Sequence, residues 1–222
     1  MKVITYYADS GDLKDQEAYD SAYSRASAVR RGKTDNFVFN KDRRLSLGVE
    51  LLLMKALEDL GEDSESFEIE YVANGKPKLK GSDICFNLSH SEERVMCSVS
   101  ERDVGCDVEF IKPINLEIAR RFFFGSEYDT IASMEDSEQY DTFYRFWTLK
   151  ESFMKVTGLG FELPLDHFRI DLGEEITVVQ SVDDRHYRFV EYNPNDGYRC
   201  AVCSVDNGFE PEMRKVDLRD LA

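Results

Sequence analysis

The chain has 222 residues, 42% of them hydrophobic, which is enough to bury a substantial core in one large domain or two small ones. Its formal net charge of −16 at pH 7 argues against nucleic acid as a general partner, because contact with phosphate backbones needs a basic field. The N-terminus has too short an apolar run for a signal peptide, and no run approaches the roughly 18 apolar residues of a membrane helix. We therefore expect a cytoplasmic protein with no membrane partner.

In the first half of the chain, the apolar pattern predicts a strand, then helices, then antiparallel strands. Residues 42–60 carry apolar side chains at helical spacing and are followed by Gly61, a usual helix stop. The predicted elements are a strand at 2–8, helical segments at 13–31 and 42–60, strands at 67–72, 83–88 and 95–100, a turn at 74–77 and a polar loop at 89–94.

The second half repeats this plan in pattern, without convincing residue identity. Its predicted elements are a strand at 104–111, helices at 116–124, 126–134 and 137–156, and strands near 168–172, 176–181, 187–192 and 198–205. The short connection at 101–103 divides the chain into subdomains of 1–103 and 104–222. We predict a mixed α/β (α+β) fold of two similar subdomains in a pseudo-twofold arrangement, with the expected ligand site in the cleft between them.

The cysteines are interpreted as buried apolar residues. Their odd count and the expected cytoplasmic location argue against a disulfide framework, and the single CxxC motif at 200–203 lies in an apolar strand-like run. They are Cys85, Cys97, Cys106, Cys200 and Cys203.

Two carboxylates share one face of the predicted strand at 104–111. The pattern Asp-x-Glu occurs four times in the chain, but only Asp107 and Glu109 lie between apolar residues. Residues i and i+2 of a strand point the same way, about 7 Å apart, so the two charges repel each other unless something positive lies between them. Gly105 would let another group approach this strand closely. By itself, the segment fits either a metal site or an exposed strand face.

The predicted helix at 137–156 places a lysine on its apolar stripe. Lys150 falls among aromatic and methionine side chains, with Glu151 at the edge of the stripe and Lys155 a little beyond. Lys150 either extends its ammonium group to water or pairs with a buried acid. Glu151 and Lys155 also fit an ordinary i, i+4 ion pair.

Candidate phosphate contacts follow the predicted strand at 83–88. Residues Asn87–Ser91 bring together hydroxyls, a histidine and loop amides, which fits either a phosphate site or a polar turn. Residues 25–44 are locally basic in an acidic chain, although a solvated helix face is the default interpretation. The usual nucleotide-binding loops and zinc motifs are absent.

Together, four segments in this order resemble the 4′-phosphopantetheinyl transferases of the larger, monomeric, surfactin-type branch. They are Gly75–Pro77, Phe86–Ser91, Val104–Glu109 and Phe143–Gly160, and the resemblance covers most of the chain from 44 to 165. It implies a monomer of two similar subdomains with coenzyme A bound between them. It also implies transfer of the phosphopantetheine arm to a serine of an acyl, peptidyl or aryl carrier protein, releasing adenosine 3′,5′-bisphosphate.

The resemblance also implies roles for single residues. Mg²⁺ would be held by Asp107, Glu109 and Glu151. The phosphates of coenzyme A would be contacted by Ser89, His90 and Lys155, and its adenosine 3′-phosphate end would lie near Arg44, Lys76 and Pro77. The segment at 30–39 aligns poorly with the family, so the resemblance leaves open which of Arg30, Arg31 and Lys33 reaches the 3′-phosphate.

Catalysis is expected to depend on Glu151, Lys150 and Lys155. The two lysines would add fixed positive charge beside the diphosphate. Glu151, directly or through a metal-bound water, is the best-placed base for the serine proton, although one carboxylate can hardly be both a tight ligand and a free base. Glu127, at a predicted helix start, is either a second candidate base or a favourable charge at a helix N-terminus.

Two other function classes use the same residues. A metal-dependent phosphohydrolase would need the same acids, and in a non-catalytic binding module the acids would only balance Lys150 and Lys155. The sequence does not identify the carrier, which could belong to a peptide synthetase, a polyketide synthase or a fatty acid synthase.

Overall fold

Two larger sheets, each covered by one long helix, and two two-stranded sheets make up the described part of the protein. The structure, a computed structural model, describes residues 1–72, 75–205 and 208–222. Within those ranges no helix is long and apolar enough to cross a membrane. The predicted mixed α/β class is confirmed, because helices cover largely antiparallel sheets. The division at 103/104 and the pseudo-twofold relation stay predictions.

The first half begins with a strand and three helices. The carboxylate of Asp15 caps the first helix by accepting hydrogen bonds from two backbone N–H groups of its first turn. Ser27 caps the next helix in the same way, so the helical segment predicted at 13–31 is divided in two. The elements are β1 (Ile4–Asp9), α1 (Gln16–Arg25), α2 (Ala28–Asp35), α3 (Asn40–Asp59), β2 (Ile69–Tyr71), β3 (Pro77–Leu79), β4 (Cys85–Ser91) and β5 (Arg94–Ser100).

The polar loop predicted at 89–94 is wrong for most of its length. β4 continues to Ser91 and β5 begins at Arg94, so only Glu92 and Glu93 turn the chain. The polar residues fit inside a strand because the hydroxyls of Ser89 and Ser91 find partners on the neighbouring strand. For the turn predicted at 74–77, Asn74 lies outside the described residues.

The second half has its own strand, three helices and two hairpins. Its longest helix ends at Gly158, whose φ of 75° is the left-handed conformation that glycine adopts readily. The elements are β6 (Val104–Phe110), α4 (Glu117–Phe122), α5 (Gly125–Ser133), α6 (Asp136–Thr157), β7 (Arg169–Leu172), β8 (Ile176–Val179), β9 (Arg188–Tyr192), β10 (Tyr198–Ser204) and β11 (Arg214–Lys215).

The strand order is the same in both halves. The first sheet runs β11-β1-β5-β4 and the second runs β6-β10-β9, so each half places its last strand between its first strand and its next-to-last. In the first sheet β1 pairs with β5, and in the second β6 pairs with β10, both antiparallel. The edge strands β4 and β6 belong to different sheets, and the candidate site lies between them.

Three groups of buried apolar residues hold these layers together. One lies between α3 and the first sheet and another lies around α6 and the second sheet. The third joins the halves, since it contains Val3 and Met96 from the first half with Cys106, Val108 and Cys200 from the second. All five cysteines are free thiols, and all except the half-buried Cys85 are buried, as predicted.

Gly105 lets α6 approach β6 closely. A Cβ atom at this position would lie 2.2 Å from the carbonyl oxygen of Ser152 and 2.5 Å from the backbone nitrogen of Val156. Both neighbours are helix backbone, which cannot move aside as a flexible side chain does. The missing side chain therefore sets the distance between the strand that carries Asp107 and the helix that carries Glu151.

The C-terminal segment returns to the first half. Phe209 forms a bridge with Val3, and β11 pairs in parallel with β1. Leu218 is fully buried, and its methyl group lies close to Gly48 of α3. Residues 208–222 therefore pack on the first half, although the predicted division assigns them to the second.

Candidate active site

Three polar side chains of β4 occupy the space between the two sheets. Asn87, Ser89 and Ser91 alternate along the strand and point towards β6. The backbone N–H groups of Cys106, Val108 and Phe110 donate to them, over 2.9, 3.3 and 3.2 Å. Edge N–H groups of β6 are thus satisfied by side chains, and the carboxylates of β6 are brought against β4.

The seam is the space between β4 and β6, where Asn87, Ser89 and Ser91 of β4 face Asp107 and Glu109 of β6. Asp107 lies at its centre. Ser89 Oγ donates to Asp107 Oδ1 over 2.9 Å, and Lys155 Nζ donates to the same oxygen over 2.6 Å. Lys155 also donates to Ser89 Oγ and to the carbonyl oxygen of Cys106. Burial is the largest influence on Lys155 and opposes its charge, but Asp107, Cys106 and Glu151 together outweigh it and raise the pKa of Lys155. The structure therefore brings Ser89, Asp107 and Lys155 together.

Glu109 occupies the next outward position on β6. Ser91 Oγ donates to Glu109 Oε2 over 2.6 Å. Burial raises the pKa of the Glu109 carboxyl, and repulsion by Asp107 raises it further. The two carboxylates thus share one strand face, as the alternation of the sequence predicts.

Glu151 faces the same two acids from α6. Burial raises the pKa of Glu151 to about 7, and repulsion from Asp107 and Glu109 contributes, while Lys155 opposes the rise. Three carboxylates with one ammonium group leave a local excess of negative charge. Such an arrangement attracts a cation and favours protonation of one acid when none is present.

The donor set fits a hard cation, but it is not arranged as a finished metal site. Asp107 Oδ2 is buried and has no hydrogen-bond partner in the structure, so one carboxylate oxygen is free to accept a cation. Carboxylate oxygens are the ligands that Mg²⁺ takes, together with water and substrate phosphates. However, no three His, Cys, Asp or Glu side chains in the described part of the chain stand in a metal-binding arrangement. The ammonium of Lys155 lies on Asp107 instead.

A cavity of about 360 Å³ opens beside β4, between α2, α3 and the β2–β3 hairpin. His90 and Pro77, two of the predicted coenzyme A contacts, line it. Arg30 and Lys33 line it as well, and Arg30 also pairs with Glu50 over 2.9 Å. The Arg31 guanidinium instead donates to the carbonyl oxygens of Ser24 and Ala26, and which basic residue reaches the 3′-phosphate stays a prediction.

Two predicted coenzyme A contacts are placed elsewhere. Arg44 Nη2 lies 3.7 Å from Glu93 Oε1, because on α3 it points roughly 100° to 140° away from the cavity-lining residues Leu45 and Val49. Lys76 Nζ donates to the carbonyl oxygen of Val156 over 2.9 Å, near the end of α6. Burial lowers the pKa of Lys76. Neither ammonium nor guanidinium group is directed into the cavity.

The structure also gives Lys150 a position that does not support the predicted catalytic role. Lys150 Nζ is fully buried, pairs with Glu127 Oε2 over 2.8 Å and donates to the carbonyl oxygens of Leu165 and Phe168. The other oxygen of Glu127 accepts the N–H of Ile170 over 2.7 Å. Burial raises the pKa of Glu127 and lowers that of Lys150. The pair joins α5, α6 and β7, and both oxygens of Glu127 are engaged there.

Ser91 and Asn87 also lie between the two sheets, and neither is given a role of its own from the sequence. Their signal was present, since polar residues at 87, 89 and 91 alternate as the inward positions of a strand do. From the sequence, Asn87 is instead assigned to the strand and residues 89–94 to a polar loop.

Comparison with known proteins agrees with the geometry. Residues 103–203 match the family model of the 4′-phosphopantetheinyl transferase superfamily. The chain is 32% identical to the 4′-phosphopantetheinyl transferase Sfp of Bacillus subtilis, over 100% of both chains. It is 34% identical to the transferase gsp of Aneurinibacillus migulanus, covering 86% of this chain and 81% of that one. The transferase HetI of Nostoc sp. is 31% identical over 84% of this chain and 81% of its own.

The matched range contains β6, α6 and β10, and hence the three carboxylates and Lys155. The full-length relatives extend the similarity over α2, α3 and β4, which line the cavity. The chain therefore belongs to the 4′-phosphopantetheinyl transferase family, in the surfactin-type branch that its sequence motifs predicted.

Proposed function

We propose that this enzyme transfers the phosphopantetheine arm of coenzyme A to a serine of an apo carrier protein and releases adenosine 3′,5′-bisphosphate, with Mg²⁺ as cofactor. The observation that carries the proposal is the seam between β4 and β6. There Asp107, Glu109 and Glu151 lie with Lys155 and Ser89, beside a largely apolar cavity whose lining includes Arg30 and Lys33.

Coenzyme A would lie across the cavity and the seam. Arg30 and Lys33 supply positive charge for the 3′-phosphate at the cavity end, and Pro77 lines the same wall. His90, Ser89 and Lys155 lie at the seam end, where the diphosphate would reach the carboxylates. Positive charge along this path is needed because a protein of net charge −16 would otherwise repel an anionic substrate.

The seam residues then divide the chemistry. Asp107 and Glu109, with Glu151, would hold Mg²⁺, which when bound polarises the phosphorus and stabilises charge on the leaving bisphosphate. Lys155 supplies a fixed positive charge beside the diphosphate oxygens. Burial raises the pKa of Glu151 to about 7, and in the alternative in which it is not a tight Mg²⁺ ligand it would accept the proton of the attacking serine.

The remaining features of the proposal concern partners and location. We propose acyl, peptidyl and aryl carrier proteins as partners, from peptide, polyketide or fatty acid synthesis. The relatives whose similarity supports this choice of partners are named as phosphopantetheinyl transferases. We also propose that the enzyme works as a monomer in the cytoplasm, without nucleic acid or membrane partners.

The test incubates the protein with coenzyme A, Mg²⁺ and a panel of apo carriers, followed by mass spectrometry of each carrier. We expect one phosphopantetheine arm on at least one carrier and no reaction in the presence of EDTA. Glu151→Gln is expected to lower the rate by about 10²–10⁴-fold, the usual contribution of a general base. Glu138→Gln is the matched control, because Glu138 is an exposed acid on the same helix.

Other outcomes separate the alternatives. Breakdown of coenzyme A without gain of mass on any carrier would indicate a phosphohydrolase. If no carrier gains mass and coenzyme A stays intact, the remaining alternative is a non-catalytic binding function. Magnesium titration of Glu151→Gln distinguishes ligand from base, since loss of a base alone leaves the affinity for Mg²⁺ unchanged.

A further inference from the structure

We propose that Ser91 is a positioning residue, which holds the carboxylate of Glu109 beside Asp107 so that both acids can bind the same divalent cation. This inference rests on the proposed function. Neither the predicted site residues nor the comparisons assign Ser91 a role.

The first argument is a repeated arrangement along the seam. Ser89 Oγ donates to Asp107 and accepts the N–H of Val108, the residue that follows this acid. Two residues on, Ser91 Oγ donates to Glu109 and accepts the N–H of Phe110, the residue that follows the second acid. Each hydroxyl thus ties one carboxylate of β6 to the backbone beside it, which fixes the direction of both side chains.

The second argument is that Glu109 needs a fixed partner. A glutamate has one more rotatable bond than an aspartate, and repulsion by Asp107 favours conformers that turn its charge away. Among the residues that the structure describes, Ser91 is the hydrogen-bond partner of the Glu109 carboxylate. The hydroxyl binds Oε2, so Oε1 is left available to a cation.

The third argument is that Ser91 itself is held in place. It is the last residue of β4 and pairs with Arg94 across the turn. In that turn Glu92 accepts a hydrogen bond from Lys112, which lies three residues beyond Glu109, and it also contacts Lys41 of α3. The turn is therefore tied to the chain just after β6, and these contacts favour the position of Ser91 beside Glu109.

The expected consequence is a weaker metal site rather than an inactive enzyme. Loss of a group that orients a metal ligand typically lowers metal affinity about 10–100-fold. Ser91→Ala should therefore raise the Mg²⁺ concentration needed for half-maximal transfer by that factor, with kcat at saturating Mg²⁺ changed much less. Ser91→Thr keeps the hydroxyl and should restore most of the affinity.

The experiment combines calorimetric titration of the metal-free protein with Mg²⁺ and transfer assays across Mg²⁺ concentrations, on the wild type, Ser91→Ala and Ser91→Thr. Asn87→Ala is the matched control. It removes an acceptor of the same seam, the one for the N–H of Cys106, and touches no carboxylate. It should lower the melting temperature while leaving the dissociation constant for Mg²⁺ within about twofold.

The outcomes separate this inference from the proposed function. A wild type that transfers nothing, or binds no Mg²⁺, refutes the proposed function or its metal. An active wild type whose Ser91→Ala variant binds Mg²⁺ equally tightly overturns the role of Ser91. The role is also overturned if Ser91→Thr fails to restore affinity, or if Asn87→Ala weakens Mg²⁺ binding as much as Ser91→Ala does.

Discussion

The two halves of the protein have the same order of elements, but their long helices lie differently on their sheets. In the first half the helix comes closest to its neighbours at Gly48 of α3. An added Cβ there would meet side-chain methyl groups of Leu218 and Val95 at 3.1 and 3.3 Å. In the second half the glycine is on the strand, and its neighbours are the backbone of α6. The second contact is closer and more rigid, and it is the one that brings Glu151 and Lys155 to the carboxylates of β6.

The halves also bury charge differently. Arg30 and Glu50 form an ion pair in the first half, and Arg30 keeps 12% of its side chain exposed beside the cavity. Lys150 and Glu127 in the second half are 0% and 1% exposed. The first pair thus borders the cavity and the second lies in the interior, so the comparison predicts that substitutions in the second pair disturb folding more.

The largest expected effect is that of Glu127→Gln. It leaves the ammonium of Lys150 buried without its counter-charge, which should lower the free energy of unfolding by about 3–5 kcal/mol. Glu50→Gln should cost less, because water in the cavity can reach Arg30. Urea denaturation of both variants checks the order, and a larger loss for Glu50→Gln would contradict the comparison. A double variant, Glu127→Leu with Lys150→Met, should recover part of the stability.

The next effect is that of adding a methyl group at each glycine. Gly105→Ala forces α6 away from β6 and should cost about 1–3 kcal/mol or more, as overpacking does, and it should also reduce transfer because Glu151 moves with the helix. Gly48→Ala should cost about 1 kcal/mol or less, since only side chains need to shift. Thermal denaturation and the transfer assay test both. If both substitutions reduced transfer equally, the distance between α6 and β6 would have no special importance for activity.

A third effect is a pH dependence that belongs to the second half. The pKa of Glu151 is about 7 in the folded protein and near 4.5 for an ordinary glutamate, so the native state binds more protons than the unfolded state between these values. Stability without metal should therefore fall as pH rises from about 4.5 to 7. Glu151→Gln should lose this component and be more stable than the wild type at pH 8. Denaturation of the wild type and of Glu151→Gln in EDTA, at a series of pH values, measures this difference. Free energies of unfolding that change in parallel with pH for the two proteins would contradict the prediction.

The smallest expected effect concerns the two hairpin turns. Between β9 and β10 the left-handed positions are taken by Asn195 and Gly197, but between β4 and β5 one is taken by Glu92, with φ of 51°. Hydrogen bonds from Lys112 and Lys41 lower the pKa of Glu92 to about 2. The stabilisation from Glu92 is thus present above about pH 4.5 and lost as pH falls towards 2.

Because these ion pairs are partly exposed, Glu92→Gln should lower stability by about 1 kcal/mol or less. Glu92→Gly should lose the same ion pairs but relieve the backbone, so it should be the more stable of the two. Thermal denaturation at low and high salt measures both effects, and an effect of Glu92→Gln that survives 1 M salt would argue against ion pairing.

Local sequence patterns predicted the orientation of several site residues. Alternation put Asp107 and Glu109 on one face of β6, and helical spacing placed Lys150 on the buried side of α6. What the pattern left open for Lys150 was its partner. The sequence offered water or a buried acid, and the choice of Glu127 depended on how α5 packs across α6, which involves residues more than twenty positions apart.

The sequence by itself determined most of the strands and helices, the apolar faces and the motifs of the family, because each depends on residues within one element. It missed the short strands β3 and β11 and the end of β4, whose extended conformation depends on pairing with another strand. Only the tertiary structure decided which elements meet: that β4 lies along β6, that Ser91 binds Glu109, and that Arg30 and Lys33 rather than Arg44 reach the cavity. The physical reason is that such contacts depend on the separation and rotation of packed elements. These are set by distant features such as Gly105 and the returning C-terminal segment.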